Sequence, residues 1–128
     1  MTLPDIVATY FTLLSSGRFE EAAACFTPDG FYSHPAYDPE SDGPTGSRLE
    51  ARGREAIARL FGIRGERNWT HDTRSDTIGD RFYVDGVARL EDGVEILSFL
   101  SVGLLDDGLI ASYIVYDSRP PVGSLAPI

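Results

Sequence analysis

Residues 94–117 read VEILSFLSVGLLDDGLIASYIVYD, two apolar runs joined by the turn signal Asp106-Asp107-Gly108. Apolar runs that flank a turn signal favour two antiparallel strands, here over Val94–Leu105 and Leu109–Asp117. The first run is apolar at nearly every position, so both faces of its strand are expected to be covered. We expect helices on one face and a second subunit on the other, which predicts a homodimer formed through the sheet.

Two further strands precede this hairpin, over Trp69–Arg74 and Arg81–Leu90. The turn signals Ser75-Asp76 and Glu91-Asp92-Gly93 bound them, so the second half of the chain is predicted to be a meander of four antiparallel strands.

The first half of the chain is predicted to be mainly helical. Apolar residues at three- and four-residue spacing indicate helices, and Pro/Gly/Asp clusters indicate turns. In chain order the predicted segments are a helix over Pro4–Leu14, a helix over Phe19–Phe26, a turn at Thr27–Gly30, a strand over Gly30–His34, a long loop over Pro35–Arg52 and a helix over Arg54–Phe61.

Helices followed by strands are typical of an α+β domain in which helices cover one face of a curved antiparallel sheet. Such a sheet, closed by helices, encloses a cavity. The length of 128 residues predicts one domain, over residues 1–119, and the Pro-rich residues 120–128 are expected to form an extended or partly disordered tail.

The charge balance excludes several classes of function. Twenty acidic against 11 basic residues give a net charge of -9, the wrong sign for binding nucleic acid. All the basic residues are arginine, which excludes a Schiff-base lysine and a P-loop. No apolar run approaches the length of a membrane span, and no targeting segment is evident, so we expect a cytoplasmic protein.

Neither a metal nor an organic cofactor is predicted. The two histidines, His34 and His71, are not at metal-ligand spacing, and the chain has no GxGxxG dinucleotide motif and no GxSxG nucleophile elbow. The lone Cys25 lies in the apolar run AAACF, which indicates a buried packing residue. Chemistry without a cofactor is therefore expected.

The order of elements, with the segments TYFTLLSSGRFEEAAACFTPDGFYSHP, GREAIARLF and IASYIVYD, resembles the NTF2-like superfamily over residues 5–119. Within it, the first segment is similar to the SnoaL-like polyketide cyclases and the ketosteroid isomerases. The resemblance implies a cone-shaped, curved antiparallel sheet covered by three N-terminal helices. The same fold hosts isomerases, dehydratases, epoxide hydrolases, cyclases and proteins that only bind.

The resemblance also implies roles for particular residues. Tyr10 matches the isomerase tyrosine that donates to the oxyanion, and His34, before Pro35, matches the carboxylate base that precedes a proline. The second oxyanion donor of the isomerases falls at Leu100, with only Ser98 and Ser101 nearby. The alternatives are that His34 is a strand-end histidine bonded to backbone and that Tyr10 is a core residue.

Two carboxylates are candidate partners of the histidines. Strand alternation places Tyr113, Val115 and Asp117 on one face, and by the resemblance Asp117 borders the base, so it is expected to orient His34. A hairpin turn centred near residue 78 places His71 opposite Asp85, which predicts a second acid–base pair on the cavity side. Alternatively, His71 and Asp85 are surface residues.

Aromatic residues exceed what the core demands, and some are expected to line a pocket for a flat apolar ligand. The candidate lining residues are Tyr32, Tyr37, Trp69, Tyr83, Phe99 and Tyr113, of which Tyr37 lies on the long loop and is a candidate lid residue. The arginines that flank the third helix, Arg52, Arg54, Arg64 and Arg67, are interpreted as solvated.

These features predict a cofactor-independent isomerase, cyclase or dehydratase. In it, His34 removes a proton next to the carbonyl of a small hydrophobic compound while Tyr10 stabilises the enolate oxygen. His71 and Asp85 would return the proton or protonate a leaving hydroxyl. The alternatives are a protein that binds a small molecule without chemistry, and a sheet face that mainly serves assembly with a partner.

Overall fold

The computed structural model describes residues 4–36, 47–65 and 69–126. Its elements in chain order are α1 (Asp5–Ser15), α2 (Phe19–Ala23), β1 (Phe26–Pro35), β2 (Arg48–Arg52), α3 (Arg54–Arg64), β3 (Thr70–Ile78), β4 (Arg81–Arg89), β5 (Glu95–Asp106) and β6 (Leu109–Ser118). No helix in these ranges is long and apolar enough to cross a membrane.

The strands form one curved, unclosed sheet in the order β2-β1-β6-β5-β4-β3. Every neighbouring pair is antiparallel except β1 and β6, which run parallel and set Tyr32 beside Tyr113. The α+β prediction is confirmed, and so is the meander β3 to β6. The sheet is mixed rather than purely antiparallel. The third helix follows the first strand as predicted, with the additional strand β2 between them.

Strand β2 lies within the segment that was predicted to be a loop. Its alternation explains the strand, because Leu49 and Ala51 face the core while Glu50 is exposed and points away from it. Arginine and glutamate on the outer face gave this segment the composition of a loop. The rest of the predicted loop, with Tyr37, lies at residues 37–46, outside the described ranges.

The start of β1 also differs from the prediction, because α2 ends at Ala23 and the predicted turn at Thr27–Gly30 is part of the strand. The register of β1 against β6 shifts between Phe26 and Phe31, where β1 has more residues than β6, which is a bulge. Two backbone carbonyls of this bulge accept hydrogen bonds from residues at the start of α3. Arg54 Nε donates to the Phe26 carbonyl at 2.9 Å, and the N–H of Gly53, just before the helix, donates to the Gly30 carbonyl at 2.8 Å. Arg54 is therefore a structural residue and not a solvated one.

The β3–β4 turn lies at Gly79-Asp80, since Ile78 pairs with Arg81. Gly79 has a φ of 58°, in the left-handed region that glycine adopts without strain. The predicted turn at Ser75-Asp76 is wrong, because both residues continue β3. The turn is centred between residues 79 and 80 and not near residue 78, which changes the predicted register of the hairpin.

The core lies between the inner face of the sheet and the helices. Its largest buried side chains are Tyr10, Phe26, Tyr32, Ile57, Phe61, Phe82 and Ile110. Cys25 is 5% exposed, as predicted for a packing residue, and burial raises the pKa of its thiol.

The described part of the tail folds back on the sheet. The Val122 N–H donates to Ser98 Oγ at 3.0 Å, and the Ser124 N–H closes a turn to the Pro121 carbonyl at 3.1 Å. The turn at residues 121–124 therefore lies beside the start of β5.

Gly103 on β5 is a close packing constraint on the sheet, because a Cβ there would overlap the ring of Phe82. Phe82 is fully buried and stacks on Tyr113 with ring centroids 5.6 Å apart, so it has no room to move aside. We predict that Gly103→Ala lowers the free energy of unfolding by about 1–3 kcal/mol in urea denaturation.

Gly62→Ala is the matched control. Gly62 lies in α3, where an added Cβ would have no neighbour within 4 Å, so this change is expected to raise stability by about 0.5–1 kcal/mol. Equal stability of the two variants would contradict the packing argument.

Candidate functional site

A cavity of about 350 Å³ lies between α1 and the inner face of the sheet. This volume is in the range of small-molecule sites. Most of its wall is apolar, with side chains from α1 and from three strands that include Phe11, Leu14, Val84, Leu97, Phe99 and Val115.

Strand direction determines which residues surround the mouth of the cavity. Strands β1 and β6 end at the same edge of the sheet at which β3 and β5 begin. His34 and Asp117 lie near the two strand ends, and His71 lies at the start of β3. All three line the cavity, so the topology brings the predicted polar residues to one end.

An aromatic column connects this end with the deep part of the cavity. The ring centroids of Tyr10 and Tyr113 are 5.8 Å apart, those of Tyr113 and Tyr32 are 6.2 Å apart, and those of Tyr32 and His34 are 6.0 Å apart. These four rings therefore form one continuous stretch of the cavity wall.

His34 is held by the backbone at the end of β1, with Nδ1 2.7 Å from the carbonyl oxygen of Pro35. A carbonyl only accepts, so Nδ1 carries the proton and the neutral ring has its lone pair on Nε2. The expected strand-end contact to backbone is present, and the same side chain lines the cavity. The two interpretations of His34 are compatible.

Tyr10 is likewise a core residue that also forms part of the cavity wall. It is 1% exposed and packs edge-on against Phe26, with ring centroids 5.5 Å apart. Its rigid position on α1 fixes where its hydroxyl lies relative to the sheet.

A buried hydrogen-bond chain connects Tyr113 with β4 through Ser101. Ser101 Oγ lies 3.0 Å from the Val84 carbonyl and 2.7 Å from the Tyr113 hydroxyl. Ser101 has one proton, which goes to the carbonyl, so Tyr113 is the donor to Ser101. Burial raises the pKa of Tyr113 well above its ordinary range, against the opposing effect of the Ser101 hydrogen bond.

The predicted pair His71–Asp85 is wrong. His71 pairs with Ala88 and Asp85 pairs with Arg74, because the turn lies further along the chain than expected. A register change of three positions moves a partner to the opposite face of the sheet. Asp85 accepts a hydrogen bond from Arg74 Nη2 at 3.0 Å on the outer face.

The residues of β4 that face the cavity are the opposite set from the one predicted. Phe82, Val84 and Ala88 are buried, which places Tyr83 on the outer face together with Asp85. Tyr83 therefore does not line the cavity. The other predicted lining residues within the described ranges, Tyr32, Trp69, Phe99 and Tyr113, do.

His71 lies at the mouth of the cavity and is exposed. Its ring meets Phe99 nearly at right angles, with centroids 6.0 Å apart. It therefore borders an apolar wall, without the carboxylate partner that was predicted for it at position 85.

Asp117 lines the cavity, with its side chain 15% exposed. The sequence predicted that Asp117 orients His34. In the structure its carboxylate forms an ion pair with Arg119, whose Nε lies 3.2 Å from Oδ2. Arg119 and Arg64 also line the cavity, although sequence reasoning did not select Arg119 and interpreted Arg64 as solvated.

Tyr113→Phe tests the buried hydrogen-bond chain. We predict a loss of about 1 kcal/mol in the free energy of unfolding at pH 8, because Ser101 loses a buried partner. Above about pH 10 the phenol ionises in the unfolded chain before it does in the folded one. The stability that the neutral phenol contributes is therefore lost as pH rises, and the difference between wild type and variant should shrink. Urea denaturation from pH 8 to 11 measures the free energy of unfolding of both proteins. A difference between them that stays constant over this range would contradict the burial argument.

Comparison with known proteins identifies the architecture. No family model matches the sequence, and no curated protein matches it. A candidate polyketide cyclase from Sinorhizobium meliloti is a similar solved structure, with 22% identity over 89% of this chain and 95% of that one and a TM-score of 0.66.

Two further solved structures show the same architecture. A candidate isomerase of the SnoaL-like family from Agrobacterium tumefaciens has 13% identity over 92% of this chain and 99% of its own, with a TM-score of 0.68. An NTF2-like protein of unknown function from Cytophaga hutchinsonii has 15% identity over 92% of this chain and 91% of its own, with a TM-score of 0.61. The chain therefore has the NTF2-like fold, as its sequence predicted.

Proposed function

We propose that this protein is a cofactor-independent enzyme that transfers a proton on a small hydrophobic carbonyl compound bound in the cavity. The observation that carries the proposal is that His34 and Tyr10 line the same cavity of about 350 Å³. One is a side chain that accepts protons near neutral pH, and the other is a hydroxyl donor in a low-dielectric wall.

In the proposed mechanism, His34 Nε2 takes the proton from the carbon next to the carbonyl. The bond from Nδ1–H to the Pro35 carbonyl, 2.7 Å long, holds the ring and stabilises the imidazolium that forms. The electron pair of the broken C–H bond forms the C=C bond of the enolate, and the π pair of the carbonyl moves to its oxygen. The Tyr10 hydroxyl donates to this enolate oxygen.

The enolate can react in three ways, and each accounts for the proton that His34 has taken. In an isomerisation, His34 returns the proton to another carbon of the conjugated system. In a dehydration, the proton leaves with a β-hydroxyl group as water. In a cyclisation, the enolate carbon bonds to a second carbonyl of the same molecule, and the new alkoxide takes the proton. Among the similar structures are a candidate cyclase and a candidate isomerase, which supports this class of chemistry.

A second candidate function is binding of the same type of ligand without chemistry. Its support is the direction of the buried hydrogen bonds, since the Ser101 proton goes to Val84 and the Tyr113 proton goes to Ser101. Neither hydroxyl is therefore a second donor to an oxyanion. Proton transfer would depend on Tyr10 as the donor that the sequence assigns.

Exchange of deuterium into a model ketone tests the enzyme proposal. With 2-acetylnaphthalene in D₂O, we predict that the protein accelerates exchange of the acetyl protons, followed by NMR. His34→Gln should lower the protein-dependent rate by about 10²- to 10⁴-fold through loss of the base. Tyr10→Phe should lower it by about 10²- to 10³-fold through loss of the enolate donor.

Asp85→Asn is the control, because Asp85 lies on the outer face of the sheet and should not affect exchange. Ligand-induced NMR shifts without any exchange in the wild type would reject the enzyme proposal in favour of binding. Exchange that survives His34→Gln unchanged would reject His34 as the base.

We also propose that the protein is a homodimer formed through the outer face of the sheet. Leu100 and Tyr116 lie directly opposite each other on β5 and β6, near the middle of the sheet, and are 55% and 52% exposed. Exposed apolar side chains at the centre of a sheet favour burial against a second copy of the chain. A twofold axis would pair this patch with the same patch on the other copy.

We predict that Leu100→Arg converts the dimer to a monomer, because it places a charge in the buried patch. Sedimentation velocity measures the change in mass. Ile63→Arg replaces an exposed apolar side chain of α3, 63% exposed on the helical side, and should leave the dimer intact. A monomeric wild type would reject the proposal.

A further inference from the structure

The charge of the cavity wall is opposite to that of the whole chain. The chain has 20 acidic and 11 basic residues. Among the described residues that line the cavity, the charged ones are two arginines, Arg64 and Arg119, and one carboxylate, Asp117. Arginines therefore outnumber carboxylates among the described residues of the wall, whereas acidic residues outnumber basic ones in the whole chain.

Arg119 is oriented by Asp117 in a way that leaves its two terminal nitrogens available. The ion pair uses Nε, 3.2 Å from Asp117 Oδ2, and within the described ranges Arg119 has no other hydrogen-bond or ionic partner. Its side chain is 36% exposed. A guanidinium fixed through Nε presents both Nη groups side by side, which is the geometry that grips the two oxygens of a carboxylate.

Arg64 brings a second positive charge from the helical layer. It is the last residue of α3, is half-buried, and donates from Nη1 to the Gly65 carbonyl at 3.1 Å. Arg119 follows β6 in the sheet, so the helices and the sheet each contribute one arginine to the wall. An anionic group at the mouth would therefore be attracted from both layers.

We propose that the substrate is a flat hydrophobic carbonyl compound that carries a carboxylate, which Arg119 binds at the mouth with electrostatic support from Arg64. The inference deepens the proposed function and rests on it for the carbonyl chemistry. It assigns Arg119 as a specificity-determining residue and explains why a net negative chain has arginines in an aromatic cavity.

The depth of the cavity fits such a ligand. Asp117 and Tyr113 are four residues apart on β6, about 13 Å of strand. A carboxylate bound by Arg119, just beyond Asp117, leaves the apolar body of the ligand to lie along the aromatic column toward Tyr113 and Tyr10.

A matched pair of probes tests the inference, namely 6-acetyl-2-naphthoate and the neutral 2-acetylnaphthalene. We expect the wild type to bind the carboxylate about 10-fold more tightly or better, as for a hydrogen bond to a charged group. Arg119→Gln should remove this preference, so that the two probes bind with equal affinity. Arg119→Lys should retain only part of it, because an ammonium lacks the paired donors.

Arg59→Gln is the control for net charge. Arg59 is an exposed residue of α3 that pairs with Glu55, so this variant changes the chain by the same charge and should keep the preference. Equal binding of both probes by the wild type would overturn the inference while leaving proton exchange on the neutral ketone as the test of the proposed function. A preference that survives Arg119→Gln, or is lost equally in Arg59→Gln, would also overturn it.

Discussion

The parallel pairing of β1 with β6 is the constraint on which the rest of the structure depends. It joins the first strand to the last and sets Tyr32 beside Tyr113, so that α1 can place Tyr10 against both halves of the sheet. Because the two strands run in the same direction, they end at one edge. His34 and Asp117, which are far apart in sequence, meet at the mouth of one cavity for this reason.

Much of the fold follows from local patterns in the sequence. The hairpin of β5 and β6 is evident because apolar runs flank an Asp-Asp-Gly turn, and α1 and α3 are evident from their apolar spacing. Strand β2 was not evident, because three of its five residues are charged and face outward. A segment of that composition looks the same as a loop in the sequence. Its pairing with β1 depends on contacts that local sequence does not encode.

The candidate site shows a sharper limit. The resemblance placed Tyr10 and His34 on the cavity wall, and strand alternation added Asp117. The same alternation failed for β4, because the turn is centred between residues 79 and 80 and not near residue 78. The resulting register error is an odd number of residues, which exchanges the two faces of the strand. Arg64 and Arg119 were beyond prediction for another reason. Arginines at element ends are usually solvated, and only the position of the cavity distinguishes these two.

Gly103 has a consequence for how this cavity evolves. It does not line the cavity, yet its missing side chain lets Phe82 lie flat beneath Tyr113, and Tyr113 forms part of the wall. The depth available to a ligand is thus set by a residue that no ligand touches. A change in ligand length can therefore arise from exchanges at positions 103 and 82 together, with the polar residues at the mouth left as they are.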